Sequence, residues 1–86
     1  MKIYFIKKLR VDGFKLICEF REGEVVEYDM SDIKTDSGSM IEPLRDPAFF
    51  SKVFIEAGAP TWPNGYDVSP ETIYHDGKHL NSDHAS

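Results

Sequence analysis

Only one cysteine, Cys18, occurs in 86 residues, so no intramolecular disulfide can form and the fold must rest on packing and hydrogen bonds. A lone thiol fits a reducing compartment, and a cytoplasmic location is expected. No apolar run reaches the roughly eighteen residues of a membrane-spanning helix. The apolar patch in Met1-Lys2-Ile3-Tyr4-Phe5-Ile6-Lys7-Lys8 is too short, and too soon interrupted, for a signal peptide. Positive charge is also scarce. Ten Lys and Arg against fifteen Asp and Glu give a net charge of −5, which repels a phosphate backbone overall and disfavours general nucleic-acid binding. No serine sits in a nucleophile elbow. His75 and His79 have the i, i+4 spacing of a metal pair, but Asp76-Gly77 breaks the helix they would need. No Cys or Glu completes a set with them or with His84. No catalytic residue, metal ligand or cofactor site is therefore assigned, and the chain is expected not to be an enzyme.

What is present suits one small α+β domain. A chain of this size buries only about 60–65% of the surface its unfolded form exposes. Six Phe, four Tyr and one Trp help fill so small a core. The charge is unevenly spread. Residues 1–21 hold six basic and two acidic side chains, whereas the remainder holds four basic and thirteen acidic ones. The basic stretch suits an acidic partner, or else lysines that shield a strand edge.

Residues 2–10 read as a first strand, and Asp12-Gly13 as the turn after it. Phe14, Leu16, Cys18 and Phe20 then alternate with polar residues and fall on one face. Arg21-Glu22-Gly23-Glu24 is a turn. Val25–Met30 is a third strand with Val26, Tyr28 and Met30 inward, completing an antiparallel meander. Cys18 lies on the inward face, where packing explains it better than nucleophilicity. Ser31-Asp32-Ile33 reads as a short capped turn, and residues 34–41 as a polar loop. Its Asp36-Ser37-Gly38-Ser39 centre lacks the Lys and long helix of a phosphate cradle. Met40, Ile41 and Leu44 are expected to tuck onto the core. Asp46-Pro47 starts a helix to about Lys52 that packs Phe49 and Phe50 on the sheet. Val53–Glu56 reads as strand, with a helix running on to Ala57 as the competing reading. Ala57-Gly58 turns into a short strand, Ala59–Trp62, whose Pro60 marks an edge or a strand start.

The densest stretch is Trp62–Glu71. Pro63 suits a turn, Asn64-Gly65 supplies left-handed residues, and Asp67 is an acceptor for loop amides. Ser69-Pro70-Glu71 starts a short helix from Pro70 to about His75. Val68 and Ile73 have hydrophobic-staple spacing around its cap. Residues 1–77 thus form the domain, and 78–86 read as a polar, frayed tail. Geometry explains Pro63, Gly65, Ser69 and Pro70. A recognition loop built of Trp62, Asn64, Tyr66 and Asp67 is the functional candidate.

Trp62-Pro63-Asn64-Gly65-Tyr66-Asp67-Val68-Ser69-Pro70-Glu71-Thr72-Ile73-Tyr74 resembles the W-P-N-G-x-D-ϕ-x-P-E-x-ϕ-Y hallmark of a bacterial family of domains of unknown function, number 2442. Phe20–Glu24, Tyr28–Ser31 and Pro43–Phe50 resemble it as well, so the likeness spans about residues 3–77. It implies an α+β module with no established activity. Some longer relatives carry a helix-turn-helix, for which nothing after Gly77 is suited. Others stand alone and are regarded as partners of small toxin-like proteins. The reading that results is a protein-interaction module, the antitoxin or accessory partner of a small basic toxin-like protein. Homodimerisation through an edge strand is a further expectation. The alternative is a component of a nucleic-acid-associated transcriptional regulator.

Overall fold

The computed structural model describes residues 3–34 and 40–80. Three strands form the expected meander: β1 (Ile6–Asp12), β2 (Lys15–Phe20) and β3 (Val25–Asp29). Both pairings are antiparallel, with Val11 opposite Leu16 and Cys18 opposite Val26. β1 begins later than its sequence suggests, and it runs through Asp12, which pairs with Lys15. The turn is therefore Gly13-Phe14 rather than Asp12-Gly13. Alternation behaves as expected: Leu16, Cys18, Phe20, Val26 and Met30 are buried on one face. The other face is mostly polar, with Ile17 and Val25 among its charged residues, and carries the ion pairs Lys7–Glu19 at 3.5 Å and Lys15–Glu27 at 3.0 Å.

After β3, the Ser31 amide donates to the Asp29 carboxylate at 2.9 Å, opening a 3₁₀ turn over Ser31–Lys34. The acceptor that caps this turn is thus Asp29, the last residue of β3. The centre of the following loop, including Asp36–Ser39, lies outside the described residues. Ile41 and Leu44 reach the core, but Met40 does not: its side chain is 44% exposed. A 3₁₀ turn over Glu42–Arg45 precedes α1 (Pro47–Phe50). Asp46 caps α1 by accepting from the Ala48 amide at 3.1 Å, and Pro47 fills the first helical position. This helix is a single turn, shorter than expected, and buries Phe50.

Val53–Glu56 resolves as strand: β4 (Phe54–Glu56) pairs antiparallel with β5 (Ala59–Thr61) in a second, two-stranded sheet. Its two-residue turn holds Ala57 at φ +52° and Gly58 at φ +80°. Two positive φ values in succession are what a tight hairpin turn needs, and Ala at the first is uncommon. The pairing also explains Pro60. Glu56 and Ala59 close the turn, so alternation puts Ile55 and Pro60 at a non-hydrogen-bonded pair. The missing N–H of Pro60 faces away from β4, and its carbonyl accepts from the Val68 amide at 3.1 Å.

α2 (Pro70–Asp76) is capped by Ser69, which accepts from the Glu71 amide at 3.2 Å. Val68 before the cap and Ile73 within the helix are both buried, as the staple spacing requires. Residues 78–80 depart from the expected frayed tail, whose remaining residues, 81–86, lie outside the described ones. Lys78 and His79 form β6, which pairs with β3 as the fourth strand of the main sheet, in the order β1-β2-β3-β6. The Leu80 amide then donates to the Val25 carbonyl at 2.9 Å, so the ordered domain runs past residue 77. The pattern of a two-residue strand is too short to show in sequence. The core lies between the inner face of this sheet and the helices and second hairpin, with Trp62, Phe50, Leu44 and Ile73 at its centre.

Candidate recognition site

The Trp62–Asp67 loop is a second tight hairpin, and its geometry accounts for most of its residues. The Gly65 amide donates to the Trp62 carbonyl at 2.9 Å, closing a turn with Pro63 and Asn64 at its centre. The Trp62 amide donates to the Tyr66 carbonyl at 2.8 Å, and Thr61 bridges Asp67. Gly65 has φ +93°, while Asn64 does not have a positive φ. This is a three-residue hairpin loop: a type I turn followed by one left-handed residue. Only Gly65, not the Asn64-Gly65 pair, supplies left-handed backbone.

The structure gives the four candidate residues different roles. Trp62 is 1% exposed. Its ring packs 5.5 Å from that of Phe50, and its indole N–H donates to the Phe50 carbonyl at 2.9 Å. Trp62 therefore anchors the loop from inside the core and offers nothing to a partner. Asn64 is a tether. Its amide nitrogen donates to the Met40 carbonyl at 2.9 Å, and its oxygen accepts from the Tyr66 amide at 3.2 Å. The role of amide acceptor that the sequence suggested for Asp67 thus belongs to Asn64. Tyr66 is half-buried, with its ring 5.8 Å from that of Trp62. Asp67 is exposed, and among the described residues its carboxylate makes no hydrogen bond or ion pair.

Tyr66 and Asp67 stand at the rim of a recess of about 330 Å³, whose polar lining includes Tyr28, Asp29, Asp32 and Thr72. β3 supplies Tyr28 and Asp29, the 3₁₀ turn after it Asp32, the hairpin Tyr66 and Asp67, and α2 Thr72. Burial pushes the Tyr28 phenol above its usual pKa, and the charges of Asp76, Tyr66 and Asp32 add to this. The Asp29 carboxyl is held below its usual range, first by the Ser31 amide and hydroxyl and then by Lys15. Asp29 therefore stays ionised at neutral pH. No group of three or more His, Cys, Asp or Glu side chains among the described residues is arranged to hold a metal. The recess thus brings the Asp29, Asp32 and Asp67 carboxylates and the Tyr28, Tyr66 and Thr72 hydroxyl groups to one surface. No single-segment signal in the sequence joins Asp29 and Asp32 to Asp67; pairing across the fold does.

The histidines part company. His75 lies in the last turn of α2 near Tyr4, whose hydroxyl lies 3.3 Å from its Nε2. His79 belongs to β6, and its Nε2 donates to the Tyr74 carbonyl at 2.7 Å. His84 lies outside the described residues. The Cys18 thiol is buried, and desolvation pushes its pKa up to about 12.

Among the described residues no helix is long and apolar enough to cross a membrane. No curated protein and no solved structure matches the chain. A family model does match, over residues 6–79, from the first residue of β1 to the last of β6. Its description is a protein of unknown function, DUF2442, and the chain belongs to that family.

Proposed function

We propose that the chain is a non-enzymatic protein-interaction module that binds a basic segment of a small toxin-like protein, as its antitoxin or accessory partner. One observation carries this reading: a rigid hairpin holds the Asp67 carboxylate exposed, and unpaired among the described residues, at an acidic recess. Trp62 fixes the hairpin from within and Asn64 fixes it from the side, so Asp67 is presented with little ordering left to do. An exposed carboxylate that contributes nothing to the fold is free to serve recognition. The regulator alternative has less support. Two cations of the basic stretch, Lys7 and Lys15, are already paired with carboxylates on the sheet face, which weakens them as phosphate contacts.

Affinity capture from the native cell tests the reading. Wild-type protein should retain a small basic polypeptide near one-to-one. The Asp67→Lys variant should lose it while keeping its melting temperature, because an exposed, unpaired side chain contributes about 0.5 kcal/mol or less to stability. Recovery of the wild-type protein alone under gentle conditions would defeat the reading. So would equal capture by the variant.

A further inference from the structure

The outer edge of β1 leads to a second surface. Asp12 and Lys15 flank a two-residue loop, so they form a hydrogen-bonded pair, and alternation makes Arg10–Ile17 and Lys8–Glu19 hydrogen-bonded pairs too. The backbone groups of Leu9 and Val11 therefore point away from β2. Further back, the outward N–H of Ile6 is covered, donating to the Gly58 carbonyl at 3.0 Å. A register shift follows between Ile6 and Lys8. Beyond it, no described residue bonds the outward groups of Leu9 and Val11. They open instead onto a groove of about 560 Å³ between β1 and residues 51–55, whose apolar wall includes Val53 and Phe54. Phe54 is 43% exposed there.

We propose that this edge accepts one added antiparallel strand from an acidic partner segment, in which carboxylate and small apolar side chains alternate. Strand addition supplies the hydrogen bonds that no described residue gives Leu9 and Val11. Side chains opposite Leu9 and Val11 fall on the groove side, against Val53 and Phe54, and are apolar. Side chains between them fall on the outer face beside Lys8 and Arg10, and are acidic. Among the described residues neither Lys8 nor Arg10 is in an ion pair, so their charge is available to such a strand.

A second copy fits this edge less well. Leu9 opposite Val11 of the second copy sets Arg10 against Arg10, and Leu9 opposite Leu9 sets Lys8 against Arg10. Val11 opposite Val11 sets Arg10 against Asp12, but it places Leu9 opposite Gly13 in the turn and leaves one hydrogen-bonded pair. The lysines and the irregularity at Lys7 also suit an edge that discourages self-pairing. This surface is separate from the Asp67 recess and does not depend on it.

Titration of the isotopically labelled protein with a blocked hexapeptide of alternating glutamate and valine tests the proposal. The Leu9 and Val11 amides should shift and exchange more slowly with solvent. Replacing the glutamates by lysine should weaken binding about tenfold or more, as attraction becomes repulsion at two positions. N-methylating the valines should abolish binding by removing the ladder donors. The double variant K8E/R10E, whose changes are confined to exposed side chains, should reverse the charge preference at an unchanged melting temperature. The proposal is overturned if the lysine peptide binds equally, if N-methylation has no effect, or if millimolar glutamate peptide leaves these amides unmoved. A single-stranded oligonucleotide that moves them equally also overturns it, by showing that charge alone is read. Concentration-dependent doubling of mass with the same amides protected would assign the edge to a second copy.

Discussion

Gly77 follows α2 with φ −81°, a value open to any residue, so the reason for glycine there is space. A Cβ would lie 2.4 Å from Val26 Cγ1 and 2.7 Å from the Ile73 carbonyl oxygen. The chain passes so close to β3 because β6 must start at once. Gly77→Ala should therefore cost about 1–3 kcal/mol, the range for overpacking, read as a lower midpoint in urea unfolding. Ala57 is the opposite case, a side chain where glycine or asparagine is preferred. Its φ of +52° costs about 1–2 kcal/mol. Ala57→Gly or Ala57→Asn should raise the melting temperature by several degrees, since about 1 kcal/mol moves a domain of this size by roughly 4–8 °C. Cys18 gives a prediction in pH. Its folded pKa, about 12, lies above that of an exposed thiol, so the folded state keeps a proton that the unfolded state loses. This contribution is complete below about pH 8.5 and is lost as pH rises towards the folded value, by at most about 1.4 kcal/mol per unit. Cys18→Ala should show a shallower alkaline loss of stability, and the native thiol should react with a thiol reagent only as fast as the protein opens.

Among the elements, β6 is the most exposed to test. It joins the sheet through Val26–His79 and Glu27–Lys78, and is reinforced by the Leu80 amide and the His79–Tyr74 bond. Each buried or half-buried bond contributes about 0.5–1.5 kcal/mol net, so ending the chain after Gly77 rather than after Leu80 should remove about 2–3 kcal/mol. Equal stability of the two truncations would restore the earlier boundary. Helices and turns were legible in sequence wherever a cap or a proline fixed them. Asp46-Pro47 and Ser69-Pro70 both start helices, because the cap acceptor and the pre-set proline φ are local properties. The assignment of left-handed backbone to Asn64 failed because the loop has three residues, and a type I turn closed by one left-handed residue requires positive φ of Gly65 alone.

For the molecule as a whole, the uneven charge of the sequence becomes two surfaces. The basic stretch spans β1 and β2, and places Lys8 and Arg10 on the exposed face of β1, an outer strand of the main sheet. The acidic remainder gathers Asp29, Asp32 and Asp67 at a recess between β3, α2 and the Trp62 hairpin. If both surfaces bind, their responses should separate: Asp67→Lys should act only on the basic partner, and K8E/R10E only on the acidic strand. Loss of both together in either variant, at unchanged melting temperature, would show the two surfaces to be coupled. Of the candidate residues, Asp67 is left exposed at the surface, whereas Trp62 and Asn64 hold the loop in place. The sequence could not divide them, because an indole suits a core and an interface equally well until its neighbours are known.

Periodicity and punctuation determined the meander, its inward face, both helix starts and, to within a residue, the place of each sharp turn. These depend on side-chain alternation and on backbone restrictions that act over two to four residues. Tertiary structure alone decided the rest. It made a strand of Lys78-His79, lodged Trp62 against the Phe50 carbonyl, tied Asn64 to Met40, and joined three separate aspartates around one recess. Each of these pairs residues that lie far apart in the chain, and their energy appears only when packing brings them within bonding distance.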